Sequence, residues 1–186
     1  MKLKRISKNK YLFENGLEIG LSNEIVNEYN LRRREELSHE EYLKVLELAA
    51  LSASYYYLSK RDYSEKEIYL KLLQKYREKE SVSKVINALI KKGYLDDYEF
   101  AKTYISSKKG SKKKLEYQMR LKGISSDIIN LVLDDYEKDD ELEELRKELR
   151  KLKNKDENKK IMSLMRKGYN YNDIKTVIQE EEEEEC

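Results

Sequence analysis

The stretch GYLDDYEFAKTY, residues 93 to 104, decides the fold, because one helix has to stop inside it and another has to start. Gly93 can take the left-handed backbone that closes a helix, and Lys91 and Lys92 before it suit the negative end of the helix dipole. Asp96 is then placed to cap a new helix and Glu99 to complete a reciprocal capping box, with Phe100, Ala101, Tyr104 and Ile105 as the apolar stripe behind it. The segment predicts two helices joined by a few residues, with Phe100 buried between successive helical units.

Upstream, SVSKVINALIKKG (81 to 93) carries Val82, Val85, Ile86, Leu89 and Ile90 at the spacing of a helix buried on one side. Ser64 with Glu67, and Ser38 with Glu41, form two more capping boxes. The first opens a helix with Ile68, Leu72, Leu73 and Tyr76, and the second a long one through Tyr42, Leu43, Leu46, Ala50, Leu51, Tyr55 and Leu58. Downstream, helices are predicted from Tyr98 to Ser107, Ser111 to Lys122 and Ser126 to Tyr136. A last set carries Leu142, Leu145, Leu149 and Leu152, then Ile161 to Lys167, then Ile174, Val177 and Ile178.

The segments LLQK, MRLK and LMRK end at positions 75, 122 and 167, spacings of 47 and 45 that mark tandem three-helix units, each completing its neighbour's core. Residues 2 to 21 hold the only β signal: KYLF (10 to 13) and LEIGL (17 to 21) flank Glu14, Asn15 and Gly16, Leu17, Ile19 and Leu21 alternate onto one face, and Leu3 and Ile6 suggest a further strand. A short helix from Ser22 to Tyr29, with Ile25, Val26 and Tyr29 inward, should cover this hairpin. The expected architecture is mainly α, tandem three-helix repeats in an elongated curved array with a small N-terminal β-hairpin module. Its divisions are a module over 1–50 that includes the start of the linking helix, repeats over 51–95, 96–138 and 139–180, and an acidic tail over 181–186.

Composition agrees, since 41% of the 186 residues are charged and proline is absent. One cysteine, Cys186, and one histidine, His39, exclude an intrachain disulfide and a Cys/His zinc site, and both read as surface residues. No apolar run is long enough to cross a bilayer and the N-terminus lacks a secretory apolar core, so the reading is cytoplasmic with no membrane partner.

The net charge of +2 conceals a split. Residues 51 to 123 hold 18 basic and 9 acidic side chains, whereas residues 124 to 186 hold 12 and 19. The basic middle contains KKGSKKK (108 to 114), which makes Lys108, Lys109, Lys112, Lys113 and Lys114, with Arg120 and Lys122, candidates for an anionic partner. Lys60 and Arg61 sit at the corresponding joint one unit earlier, and Arg32 to Arg34 form a small cluster that reads as solvated. Of Tyr55, Tyr56 and Tyr57, at least one should be exposed, because consecutive helical residues point about 100° apart.

Catalytic signatures are missing: there is no phosphate-cradling glycine loop, no cysteine with a histidine partner and no serine elbow. Asp96 and Asp97 are a conspicuous acidic pair, but metal-dependent hydrolysis needs further carboxylates, and helix capping explains Asp96. No catalytic residue, metal or cofactor is assigned.

With YYYLSKRDYSEKEIYLKLL (55 to 73), KKGYLDDYEFAKTYI (91 to 105) and KKGSKKKLEYQMRLKGIS (108 to 125), the chain resembles the RecX family of bacterial recombination regulators, over nearly its whole length. Arg61, Ser64, Glu67, Tyr94, Asp96, Asp97, Phe100 and Ala101 match the family's pattern. The resemblance implies a monomeric binding protein, not an enzyme, that lies in the groove of the RecA recombinase filament on single-stranded DNA, contacts that DNA within the filament or directly, and restrains ATPase and strand exchange. One departure stands out: Tyr76 occupies the joint where the later repeats have Gly123 and Gly168. Two other functions are compatible with the residues alone, an independent nucleic-acid-binding helical module and, through Asp96 and Asp97, a metal nuclease.

Overall fold

A computed structural model describes residues 1–184; Cys186, expected at the surface, lies outside the described residues. The chain divides into two compact units, Met1–Asp96 and the residues from Asp97 onward.

The first unit opens with an antiparallel sheet of β1 (Leu3–Ser7), β2 (Lys10–Phe13) and β3 (Glu18–Gly20), in that order. The Asn15-Gly16 signal makes the β2–β3 turn, with Gly16 at φ 76°, where a side chain would be strained. Asn15 fixes it twice: its Oδ1 accepts from the Leu17 N–H at 3.1 Å and its Nδ2 donates to the Tyr42 hydroxyl at 2.8 Å. Tyr11, Phe13, Leu17, Ile19 and Leu21 share the buried face. They pack with α1 (Asn23–Glu28) and α2 (His39–Leu58), where the Phe13 and Tyr42 rings lie 5.1 Å apart. Leu3 and Ile6, both assigned to a strand, separate: Leu3 is buried and Ile6 is exposed, since three positions apart in a strand means opposite faces.

Both capping boxes form, Ser38 with Glu41 on α2 and Ser64 with Glu67 on α3 (Glu65–Tyr76). On α2 the buried stripe runs through Val45, Leu46, Ala49, Ala50 and Ser54, with Leu51 and Leu58 only half-buried. The Ser54 hydroxyl is satisfied by donating to the Ala50 carbonyl at 2.7 Å. Next, α4 (Lys79–Lys91) lays Val82, Val85, Ile86 and Leu89 into a core continuous with that of the sheet.

The departure at Tyr76 has a structural answer. Helix α3 includes Tyr76, the position that is glycine in the later repeats, and the left-handed conformation falls one residue on, at Arg77 with φ 56°. Tyr76 is thereby turned inward, where its hydroxyl donates to the Ala49 carbonyl at 2.8 Å and burial pushes its pKa far up.

The second unit comprises α5 (Asp97–Ser107), α6 (Lys112–Lys122), α7 (Ser126–Asp134), α8 (Lys138–Arg150), α9 (Glu157–Arg166) and α10 (Tyr171–Glu184). One core gathers Ala101, Ile105, Leu115, Met119, Ile129, Val132 and Tyr136; the other gathers Leu145, Leu149, Ile161, Leu164, Tyr169, Ile174, Val177 and Ile178. Polar contacts join the two cores: the Ser111 hydroxyl donates to Lys167 O at 2.7 Å and the Lys112 N–H to Glu141 Oε1 at 2.8 Å. Within the α5–α7 set, the Tyr136 hydroxyl donates to Gly110 O at 3.1 Å. Gly123 and Gly168 close α6 and α9 at φ 87° and 93°.

Phe100 departs from its expected place. It is half-buried, stacked on Tyr104 with centroids 6.0 Å apart, at the margin of the α5–α7 core. The acidic block is helical as far as Glu184 and meets α8: Arg146 donates to Glu180 at 2.8 Å and Arg150 to Glu181 at 3.1 Å.

Candidate partner-binding surface

In the first unit, the turn between α2 and α3 holds Lys60 and Arg61 in an aromatic setting. Lys60 Nζ stands 5.2 Å over the Tyr56 ring, and the Arg61 guanidinium carbon stands 3.5 Å over the Tyr63 ring. Arg61 also donates to Asp62 O at 2.7 Å and pairs with Glu67 at 3.4 Å, so it braces the capping box that begins α3. Lys71 Nζ, 4.6 Å over Tyr57, extends the row of stacked cations and rings. Tyr56 is 61% exposed, as one of the three consecutive tyrosines had to be, and Tyr94 is exposed with its ring 5.1 Å from that of Tyr55. Ser64 is fully buried as the α3 cap, a structural role.

The lysine cluster of the second unit divides into braced and open members. Lys109 pairs with Asp140 at 3.5 Å, and Lys112 is half-buried with its ammonium 6.0 Å from the Tyr136 ring. Arg120 reaches Glu116 through Nε and Nη2 at 3.0 and 2.8 Å, and Ser126 Oγ at 3.0 Å. Lys122 sits over Phe100 and Tyr104 at 5.6 and 5.4 Å. Lys108, Lys113 and Lys114 are exposed, and among the described residues none has a carboxylate partner. Part of the charge split found in the sequence is therefore internal, because carboxylates of α8 answer Lys109 and the N-terminus of α6.

Asp96 and Asp97 lie just before and at the first residue of α5, and Ala101 is buried in its core. Among the described residues no three His, Cys, Asp or Glu side chains converge where a metal ion could be held, and no helix is long and apolar enough to cross a membrane. Arg166 escaped the sequence reading. It is the last residue of α9 and lines the same cleft as Lys113 and Lys114.

The chain is 28% identical over 176 residues to the regulatory protein RecX of Clostridium tetani, covering 86% of this chain and 82% of the relative. It is 30% identical to that of Bacillus velezensis, covering 84% of this chain and 65% of the relative. A crystal structure of RecX from Lactobacillus salivarius superposes with a TM-score of 0.65 at 26% identity, over 73% of this chain and 96% of that one. This chain belongs to the RecX family of regulatory proteins. A second RecX crystal structure, with a TM-score of 0.66, covers 96% of this chain and 98% of its own at 19% identity, a likeness of fold. No family model matches the chain. The RecX protein of Bacillus pumilus is 33% identical over 136 residues, and the match spans 52% of its length. RecX membership accounts for the helix trios and the small N-terminal sheet together.

Proposed function

We propose that this protein regulates the RecA recombinase by lying in the groove of the RecA filament on single-stranded DNA, where it limits ATP hydrolysis and strand exchange. The observation that carries the reading is membership of the RecX family of regulatory proteins. The protein acts as a cytoplasmic monomer through binding, without catalysis of its own. Lys113 and Lys114, with Lys108 nearby, are the candidates for meeting phosphates, because they are exposed and lack carboxylate partners among the described residues. Lys60, Arg61, Lys109, Lys112, Arg120 and Lys122 take a supporting part, since a cation already stacked or paired gives up that contact to reach a phosphate.

Co-sedimentation with RecA filaments on single-stranded DNA, against naked DNA at the same physiological salt, tests the proposal. Retention by filaments alone, with a fall in their ATPase rate, is the expected result; equal retention by naked DNA would instead make the chain an independent nucleic-acid-binding module. A salt titration places the lysines. Each lost contact to a single-strand phosphate removes about 0.7 from the slope of log K against log salt, so Lys113→Glu with Lys114→Glu should flatten it by about 1.4. An unchanged slope would remove both residues from the binding surface.

A further inference from the structure

In the second unit a cleft of about 460 Å³ opens where the start of α6 faces α8 and the turn after α9. Lys113, Lys114, Tyr117, Glu148, Arg166 and Tyr169 are among its lining residues, and its volume falls in the range of small-molecule sites. Its acidic members are already engaged: Glu144 accepts from Lys147 at 2.9 Å, and Glu148 pairs with Lys151 at 2.7 Å and also with Lys167. Lys113, Lys114 and Arg166, by contrast, have no carboxylate partner among the described residues. Three cations without carboxylate partners lining one cleft raise the local potential and attract an anion. The helix end contributes little, because the Lys112 N–H is taken by Glu141 and the Lys114 N–H by Ser111 Oγ. Side chains would therefore hold the anion.

A second feature narrows its chemistry. Tyr117 lines the same cleft and is 63% exposed, leaving an aromatic face open to a planar group. We propose that the cleft binds a free nucleoside phosphate, with its phosphates among Lys113, Lys114 and Arg166 and its base on Tyr117. Because the cleft is walled by helices from both cores of this unit, the ligand would also tie those cores together. This goes beyond the filament reading and assigns Lys113 and Lys114 a second anion that competes there with a strand phosphate; the test uses no recombinase, so the two can fail separately.

The experiment is calorimetric titration of the full chain with ADP, and in parallel with pyrophosphate, adenosine and oligothymidylate. Saturable ADP binding is expected, tighter than that of pyrophosphate or adenosine. Tyr117→Ala should weaken ADP by between about 5-fold and 100-fold, the range for loss of one stacked base, and leave pyrophosphate unchanged. Lys113→Glu combined with Arg166→Glu should abolish both, with circular dichroism confirming that these exposed changes leave the fold intact. The proposal is overturned if ADP does not saturate, if pyrophosphate binds as tightly, or if the variants bind ADP normally. Displacement of ADP by lower concentrations of oligothymidylate would assign the cleft to a nucleic-acid strand and also overturn it.

Discussion

Two buried tyrosines with opposite circumstances set up the first prediction. The Tyr76 hydroxyl is bonded to Ala49 O, whereas that of Tyr11, on a fully buried ring, has no hydrogen-bond partner among the described residues. A typical buried hydrogen bond contributes about 1 kcal/mol, and an unsatisfied buried polar group costs at least as much. Tyr76→Phe should therefore lower the free energy of unfolding by about 1 kcal/mol and Tyr11→Phe should raise it by about as much, in urea titrations of each variant. Glu41 supplies the second. The fork from Arg34 at 2.7 Å, followed by the Ser38 N–H, holds its carboxyl down at about 2 from the ordinary 4.5. A folded pKa below the unfolded one means a contribution fully present above pH 4.5 and lost as the pH falls towards about 2. The difference in urea midpoint between the wild type and Glu41→Gln should shrink across that window; a pH-independent difference would show that the fork does not persist in solution. Arg34 belonged to a cluster that read as solvated, and nothing in the sequence marks one of three adjacent arginines as the partner of a capping glutamate.

At the scale of the element, the helix ends divide into those legible in sequence and those that were not. Ser38 with Glu41 and Ser64 with Glu67 could be read because a capping box is local: four residues hold both partners. The hairpin was legible for the same reason, since Asn-Gly needs no distant contact to favour its turn. The end of α3 was not, because repeat alignment puts Tyr76 opposite Gly123 and Gly168 while Tyr76 is drawn into the core by Ala49, a residue far away in sequence. The partners of Lys109 and of the Lys112 N–H were hidden similarly, in acidic residues of α8 about thirty positions on. These helix ends give a paired prediction. Arg77 is exposed and left-handed, a conformation that costs an L-residue about 1–2 kcal/mol, so Arg77→Gly should stabilise by about 0.5–1 kcal/mol after the entropy lost by glycine is counted. At Gly168 a Cβ would lie 2.7 Å from Ser111 Oγ and 3.2 Å from Lys113 Cβ, in addition to the left-handed strain. Gly168→Ala should then destabilise by about 2–4 kcal/mol, combining both terms, and a change within about 0.5 kcal/mol in thermal unfolding would show that the helix end relaxes freely.

For the whole molecule, the division at Asp96 and Asp97 falls at the stretch whose sequence announces a helix stop and a helix start. The core of the first unit draws on its sheet and on four helices, all within residues 3–95. A fragment of residues 1–96 should therefore fold alone and unfold cooperatively; a fragment with helical circular dichroism but no sigmoidal melt would show that it depends on the rest of the chain. The turn at Asn15 and Gly16 has a further consequence at this scale, in the chemical lifetime of the chain. Asparagine followed by glycine is the sequence most prone to deamidation, in which the glycine amide nitrogen attacks the asparagine side-chain carbonyl carbon, closes a succinimide and expels ammonia. Here both reactants are detained: the Gly16 N–H donates to Phe13 O at 2.9 Å, and the Asn15 amide is held at 2.8 Å by Tyr42 and at 3.1 Å by Leu17. Ageing at this bond must wait for the hairpin to open, which makes the slow accumulation of isoaspartate at residue 15 a clock for local unfolding of the N-terminal sheet.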